Sequence, residues 1–305
     1  MATTPRRLAV AINPSAAFGR SRDVGPRVCE LLRAGGHEVD ELVAGSYAEL
    51  ADRVREAVAG GPDALVVVGG DGMVGLGAES VAGTPTALGL VPVGTGNDTA
   101  RGLDIPSHDP SRAVGLLLES LEAGGRMIDV GTASWTGERG AEQRRFAGAV
   151  SCGFDALVNE RANRMRRPRG SSRYTISIAL ELARLTPIAY RIEHDGGVLE
   201  TEGMLVTVAN NRFIGGGMEI TPEARIDDGL LDLFVVSRLT RIQFLRIFPK
   251  VFSGTHVGDP RVTILRTRRA RVEAEDVVAY ADGERLGPLP VDVAVEPGAL
   301  RLLAP

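Results

Sequence analysis

Short apolar runs alternate with amphipathic stretches through the first 125 positions. Leu8–Ile12, Glu38–Val43, Ala64–Val68 and Ala87–Val91 have strand length, while Val28–Leu32 and Leu50–Val58 sit inside stretches with a helical repeat of apolar residues. That alternation predicts an α/β layer with a largely parallel sheet. Ala64–Val68 and Leu88–Val91 are almost entirely apolar, so both strands are expected to be buried on both faces. Each runs straight into a polar loop that contains glycine.

The texture changes near Met127. Phe146–Val150, Met204–Ala209, Leu230–Val236, Val262–Leu265, Val277–Tyr280 and Val291–Val295 read as strands, interrupted by two helical stretches, Asn159–Leu185 and Thr240–Val251. This half is expected to be an antiparallel β domain, a sandwich or barrel. The boundary falls near Gly124-Gly125. A length of 305 residues suits two cores better than one.

A charged fraction of 24% against 44% hydrophobic residues leaves no room for a long disordered tail. The net charge of −4 gives no global attraction to nucleic acid or to an anionic membrane, so any basic patch must be local. No window has the run of ~18 apolar residues that a transmembrane helix needs, and Met1–Arg7 lacks the apolar stretch of a secretory signal. The expected location is therefore the cytoplasm. Cys29 and Cys152 are far apart, with no CxxC, and read as buried packing residues. The four histidines are too scattered for a metal site, although His256 is worth following. Trp135 and the few other aromatics form no stacking platform, which argues against binding of single-stranded nucleic acid.

The chemistry concentrates in the loops. Gly69-Gly70-Asp71-Gly72 follows a buried strand, where glycines let backbone N–H groups converge on a phosphate with no Cβ in the way. Alone, GGDG serves a tight turn equally well. Gly94-Thr95-Gly96-Asn97-Asp98 shifts the balance, because it also leaves the carboxyl end of a buried strand, where open α/β sheets bind ligands. Together the two loops offer two carboxylates, several amides and a hydroxyl, a set suited to a nucleotide with its Mg²⁺. A third loop, Asn13 to Arg20, comes off the first strand. Neither GxxxxGK[ST] nor GxGxxG follows a strand, which weakens the P-loop and dinucleotide-binding readings.

These loops are followed, in order, by Gly153-Phe154-Asp155, Gly215-Gly216-Gly217-Met218, Asp227-Asp228-Gly229-Leu230-Leu231-Asp232 and Asp282-Gly283-Glu284. The series resembles the diacylglycerol kinase catalytic-domain family, which includes bacterial diacylglycerol kinases and sphingosine and ceramide kinases. Asn159 to Met165 and Gly254-Thr255-His256 look like the soluble actinobacterial members. The resemblance spans nearly the whole chain.

It implies an N-terminal α/β nucleotide domain over 1–125, similar to NAD kinases and phosphofructokinases, and a C-terminal antiparallel β-sandwich over 126–296 that takes the lipid. The active site would lie in the cleft between them, and 297–305 would return to the first domain. Carried over by position, Asn13, Ser15, Gly69, Gly70, Asp71, Gly72 and Thr95 would contact ATP, with Asn97 and Asp98 lining the same cleft. The family's general base is assigned to the DGE element, where Glu284 or Asp282 would accept the proton of the lipid hydroxyl. Asp71 competes for that role, and the choice among the three stays open. A structural Mg²⁺ would be held by the Asp228 side chain and the backbone carbonyls of Arg225 and Leu230. By its residues alone, Asp227-Asp228-Gly229 is an ordinary turn.

The chain departs from most relatives after GGDG, where Met73, Val74, Gly75 and Leu76 replace a threonine, an aliphatic residue, an asparagine and a glutamate. A hydroxyl and an amide that could assist at the phosphates are missing. The expected activity is ATP- and Mg²⁺-dependent phosphorylation of diacylglycerol to phosphatidic acid at the inner face of the membrane. Alternatives are an NAD-kinase-like enzyme and a catalytically silent lipid-binding or regulatory protein. Arg161, Arg164, Arg166, Arg167, Arg169 and Arg173 form a basic run suited either to transient contact with an anionic membrane or to a solvated helix face. Edge strands in the second half leave room for a homodimer.

Overall fold

The structure, a computed structural model, describes residues 4–13, 20–137, 140–165, 176–177, 180–181 and 186–304. The first elements are β1 (Arg7–Ile12), α1 (Arg20–Ala34), β2 (Glu38–Val43), α2 (Tyr47–Ala59), β3 (Ala64–Gly69), α3 (Asp71–Val81), β4 (Ala87–Pro92), α4 (Asp98–Gly102) and α5 (Pro110–Ala123). There follow β5 (Arg126–Gly137), β6 (Gly140–Phe146), β7 (Ala149–Ser151), α6 (Phe154–Arg164), β8 (Ile188–His194), β9 (Gly197–Ala209), β10 (Phe213–Ile214) and β11 (Met218–Glu219). The chain ends with β12 (Leu231–Ser237), α7 (Arg241–Val251), β13 (Val262–Thr267), β14 (Arg269–Glu273), β15 (Val278–Ala281), β16 (Glu284–Pro288) and β17 (Val291–Leu303). It divides into two compact units, one of residues 1–130, 213–217 and 297–305, the other of 131–212 and 218–296.

In the first unit, β1 pairs in parallel with β2 and β3, and β3 with β4. Every residue of β3 and β4 is buried, as their unbroken apolar runs require of central parallel strands. β2 alternates charged and apolar residues and stays largely exposed at the sheet edge. Helix ends follow local chemistry. Ser46 caps α2 by accepting from the Glu49 amide, and Asp109 caps α5 ahead of Pro110. Gly124, with φ of 91°, closes α5 in the left-handed conformation. The last residues belong to this unit. Leu302 and Leu303 run parallel to Leu88 and Gly89, Gly83 N donates to Ala299 O at 2.7 Å, and Gly298 N donates to Asp129 Oδ1 at 2.8 Å.

The second unit is antiparallel. β9 is its hub, paired with β7, β8 and β12, and β12 pairs onward with β13. β8 and β9 join through the two-residue turn Asp195-Gly196, a favoured hairpin pair. Phe146, Ile192, Val206, Val208, Leu233 and Val272 anchor its core. α7 opens on a complete capping box between Thr240 and Gln243. Cys29 and Cys152 are both buried and neither forms a disulfide, and burial lifts the Cys29 thiol to about 11. His256 is fully buried, with Nε2 at 2.9 Å from Ile220 O and its ring edge-on to Phe234, so it serves the core. Among the described residues, no helix is long and apolar enough to cross a membrane.

The structure differs from the sequence reading in two places. Asp71–Val81, which follows the glycine loop, is a helix despite Gly72, Gly75 and Gly77. Burial outweighs the helix cost of glycine. Residues from Met73 to Ala78 are all buried, and a Cβ on Gly77 would meet Leu88 Cδ1 at 2.6 Å. The run Phe146–Val150 is two strands rather than one, broken at Ala147-Gly148, because amides there turn to a carboxylate described below.

Candidate active site

The first unit gathers most of the expected nucleotide residues at the carboxyl ends of its strands. Asn13 ends β1, Gly69 and Gly70 end β3, and Gly94 to Asp98 follow β4. The two glycine loops touch backbone to backbone. A Cβ on Gly94 would lie 2.5 Å from Gly70 Cα, and one on Gly70 would lie 3.0 Å from Gly94 Cα. Glycine is needed at both positions for this approach. Asn97, at φ 53° and ψ 41°, folds its side chain back on its own loop, accepting from Gly94 N at 2.8 Å and donating to Gly94 O at 3.0 Å.

Carboxylates complete the clamp. Asp71 Oδ1 accepts from Thr99 N at 3.1 Å, tying the start of α3 to the start of α4. Its second oxygen lies over Gly96, where a Cβ would meet it at 2.9 Å. Burial pushes the Asp71 carboxyl above its usual range, against the pull of the backbone amides of Thr99, Asp98 and Asn97. Asp98 is 8% exposed, and its two oxygens accept from Gly216 N and Gly217 N, both at 2.7 Å. Burial, and then the charge of Asp71, raise Asp98 to about 6, while the glycine amides and Arg101 pull it down.

Gly216 and Gly217 are partners of Asp98 that sequence reasoning did not assign. Gly215, Gly216 and Gly217 all have positive φ, of 61°, 87° and 109°, the conformation that turns successive amides toward one anion. The signal was the glycine triplet itself, but not its partner 118 residues upstream.

At the start of α3, Gly70 is an N-cap with no side-chain hydrogen bond. Gly70 thus brings no side chain to the first turn, where Met73 N donates to Gly70 O at 2.9 Å, and an anionic ligand can approach the helix start. Tyr47 Oη donates to Gly72 O at 3.2 Å from the start of α2. Thr95 is exposed in its loop. Met73 packs beneath the loop, since a Cβ on Gly69 would lie 2.5 Å from Met73 Cγ. The substitutions after GGDG therefore fill the core under the loop. Ser15 lies outside the described residues, as do Arg166, Arg167, Arg169, Arg173 and much of the expected helix Asn159–Leu185.

In the second unit, Asp282-Gly283 is the two-residue turn between β15 and β16, with φ of 47° and 81°. Two positive φ values and a D-G pair mark a primed hairpin turn. The Asp282 carboxylate is fully engaged: Oδ2 accepts from Ala147 N at 2.9 Å, and Oδ1 from Gly148 N at 2.9 Å and Ala149 N at 3.1 Å. This amide nest is what separates β6 from β7. Glu284, next in the chain, is exposed at the head of β16. Behind it, Tyr280 Oη donates to Glu160 of α6, and Arg285 Nε lies 3.5 Å from the same carboxylate.

The expected metal loop is also in the second unit. Asp228 Oδ1 accepts from Leu230 N at 3.1 Å, Oδ2 pairs with Arg266, and Gly229 turns the chain at φ 73°. Among the described residues no cluster of three or more His, Cys, Asp or Glu side chains surrounds this loop, which offers the single carboxylate of Asp228. Its charge is here met by Arg266.

A parallel α/β sheet with two interlocked glycine loops at its strand ends, carried in one chain with an antiparallel sandwich, has the architecture of a nucleotide-binding domain followed by a β domain. Residues 7–133 match the diacylglycerol kinase catalytic domain, and residues 148–304 match the YegS C-terminal NAD kinase beta sandwich-like domain. A diacylglycerol kinase of Mycobacterium tuberculosis is 36% identical over 96% of this chain and 93% of its own length. One from Bacillus subtilis is 25% identical over 93% and 92%. The crystal structure of a diacylglycerol kinase from Bacillus anthracis covers 98% of this chain and 97% of its own, with a TM-score of 0.70 at 20% identity. A yeast NADH kinase complexed with NADH shares the fold at a TM-score of 0.58 and 12% identity, over 98% of this chain and 83% of its own. The chain belongs to the diacylglycerol kinase family, and as a kinase it draws its phosphoryl group from ATP.

Proposed function

We propose that this chain phosphorylates the free hydroxyl of diacylglycerol to phosphatidic acid at a membrane surface. The observation that carries the reading is the interlocked pair of loops at Gly69–Gly72 and Gly94–Asp98 ahead of the glycine-capped start of α3, in a chain whose relatives are named diacylglycerol kinases. The ATP phosphates sit against the amides of Gly70 to Gly72. Asn13, Ser15 and Thr95 complete the nucleotide contacts, with Asn97 and Asp98 holding the second loop. Glu284 is the general base. Asp282 has both oxygens committed to backbone amides, and Asp71 is held by the amide of Thr99, whereas Glu284 is exposed.

Glu284 takes the proton of the lipid hydroxyl as its oxygen attacks the γ-phosphorus. The bond from that phosphorus to the bridging oxygen breaks, and ADP leaves. Mg²⁺, when bound, would supply charge neutralisation at the phosphates, and a second, structural Mg²⁺ would be held by the Asp228 side chain with the carbonyls of Arg225 and Leu230. That site requires Arg266 to give up its hold on Asp228. Contact with the bilayer is transient, at the inner membrane face.

Transfer of label from γ-labelled ATP to diacylglycerol in mixed micelles tests the reading. Labelled phosphatidic acid with Mg²⁺, and none with EDTA, is expected. Absence of transfer to any of several lipid alcohols by folded protein would sink it and favour a silent lipid-binding role.

A further inference from the structure

We infer that α7 and the turn after it are the surface on which this protein docks on an anionic lipid bilayer. Around a helical wheel of about 100° per residue, Phe244, Ile247 and Val251 form the buried face. Opposite them, Ile242, Leu245, Pro249 and Phe252 fall within about 80° of one another. Ile242 is 64% exposed, Leu245 57% and Phe252 52%, and Val257 on the following turn is 46% exposed. Isolated exposed apolar residues are ordinary, but a contiguous stripe on one helix marks a docking surface.

Charge identifies the occupant. Arg246 and Lys250 flank the stripe on one side and Arg241 on the other, all exposed. From Arg238 to Gly258 the chain has four basic residues and no Asp or Glu, although the whole protein carries a net charge of −4. Arg238 pairs with Glu202 at 3.1 Å and Asp259 feels the charge of Lys250, so the excess lies with the cations on α7 itself. An apolar ridge edged by cations on an otherwise acidic protein is the composition of a helix lying in the headgroup layer of an anionic membrane. The capping box at Thr240 and ring contacts among Phe244, Phe248 and Phe252 fix the helix before any lipid arrives.

The assignment rests on the reading that the substrate is a bilayer lipid, and it names where a water-borne enzyme meets that bilayer. The Arg161–Arg173 run noted from sequence is not needed for it.

Flotation of the full chain with vesicles of phosphatidylcholine, with and without phosphatidylglycerol, tests the inference. Binding to the anionic vesicles is expected. Leu245→Glu should weaken it at least ~10-fold, and an Arg246→Ala, Lys250→Ala double variant roughly 25-fold, about five-fold per cation. Raised salt should weaken wild-type binding further. Both variants should melt like wild type and phosphorylate a short-chain diacylglycerol dissolved as monomers at the wild-type rate. Wild-type flotation by either variant would overturn the docking surface even if the kinase is active. A dimer in light scattering that Leu245→Glu abolishes would overturn it in favour of a second copy of the chain. Flotation through α7 without transfer to either soluble or vesicle lipid would leave the surface standing and remove the kinase reading.

Discussion

Asp282→Asn and Glu284→Gln should fail in opposite ways. Asp282 accepts three backbone amides, from Ala147, Gly148 and Ala149, at 2.9 to 3.1 Å. Asparagine keeps one carbonyl oxygen for Gly148 and Ala149 but turns an NH₂ toward Ala147 N–H. One charge-assisted hydrogen bond is lost and one donor is left facing another, a loss of about 2 kcal/mol. For a unit of this size that lowers the melting temperature by roughly 4 to 8 °C. Because the same turn presents Glu284, turnover falls as well, but the shape of the pH–rate profile is retained. Glu284 is exposed at the head of β16, so Glu284→Gln leaves the melting temperature within about 1 °C, in line with ordinary surface substitutions. As the proposed base, it should lower kcat by about 100-fold or more. Calorimetry and a phosphoryl-transfer pH profile on both variants decide the matter. Asp282→Asn with normal stability and abolished turnover would refute the assignment of Asp282 to the nest and make it the base instead.

Other perturbations probe the first unit. Gly94→Ala places a Cβ 2.5 Å from Gly70 Cα and 2.6 Å from Asn97 Oδ1, so the loops must part. The KM for ATP should rise at least ~10-fold, the scale of lost positioning, and an unchanged KM would mean that the loop contact does not shape the nucleotide site. Asp71→Ala cuts the tie from α3 to Thr99 N and should reduce kcat by about 100-fold through lost positioning, read in the same transfer assay. Asp98 titrates near 6, above its ordinary 3.8. The folded state therefore favours the proton, and Asp98's contribution to stability falls as pH rises from about 4 to about 6, by roughly 3 kcal/mol. Urea unfolding of wild type and Asp98→Asn at both ends of that range should show a pH-dependent difference of this size and sign. Arg266→Ala frees the Asp228 carboxylate, so Mg²⁺ should raise the melting temperature more than in wild type, and Asp228→Ala should abolish the rise.

Much of this organisation was readable in the residues. β3 and β4 announced themselves by unbroken apolar runs, whereas Asp282-Gly283, visible in sequence only as part of the DGE element, is the hairpin turn that holds Glu284. What sequence concealed depends on contacts distant in the chain. Gly69–Gly72 reads as a loop, and the glycine-rich stretch after it shows no element until the packing of Met73, Val74 and Leu76 beneath the sheet ends is seen. The break in Phe146–Val150 is made by a carboxylate more than 130 residues away. Asp98 and the glycine triplet at 215–217 were each visible as motifs, yet only the fold joins them. The residues after Gly72 read as missing polar groups at the phosphates, whereas Met73 points into the core below Gly69 and fills it.

The central claim is that this family member hands the γ-phosphoryl group to a lipid alcohol. A single reaction with γ-labelled ATP, Mg²⁺ and both diacylglycerol and NAD present tests it most directly. Label in phosphatidic acid, none in NADP, and loss of the lipid product in Glu284→Gln is the expected result. Label in NADP with the lipid untouched would contradict it.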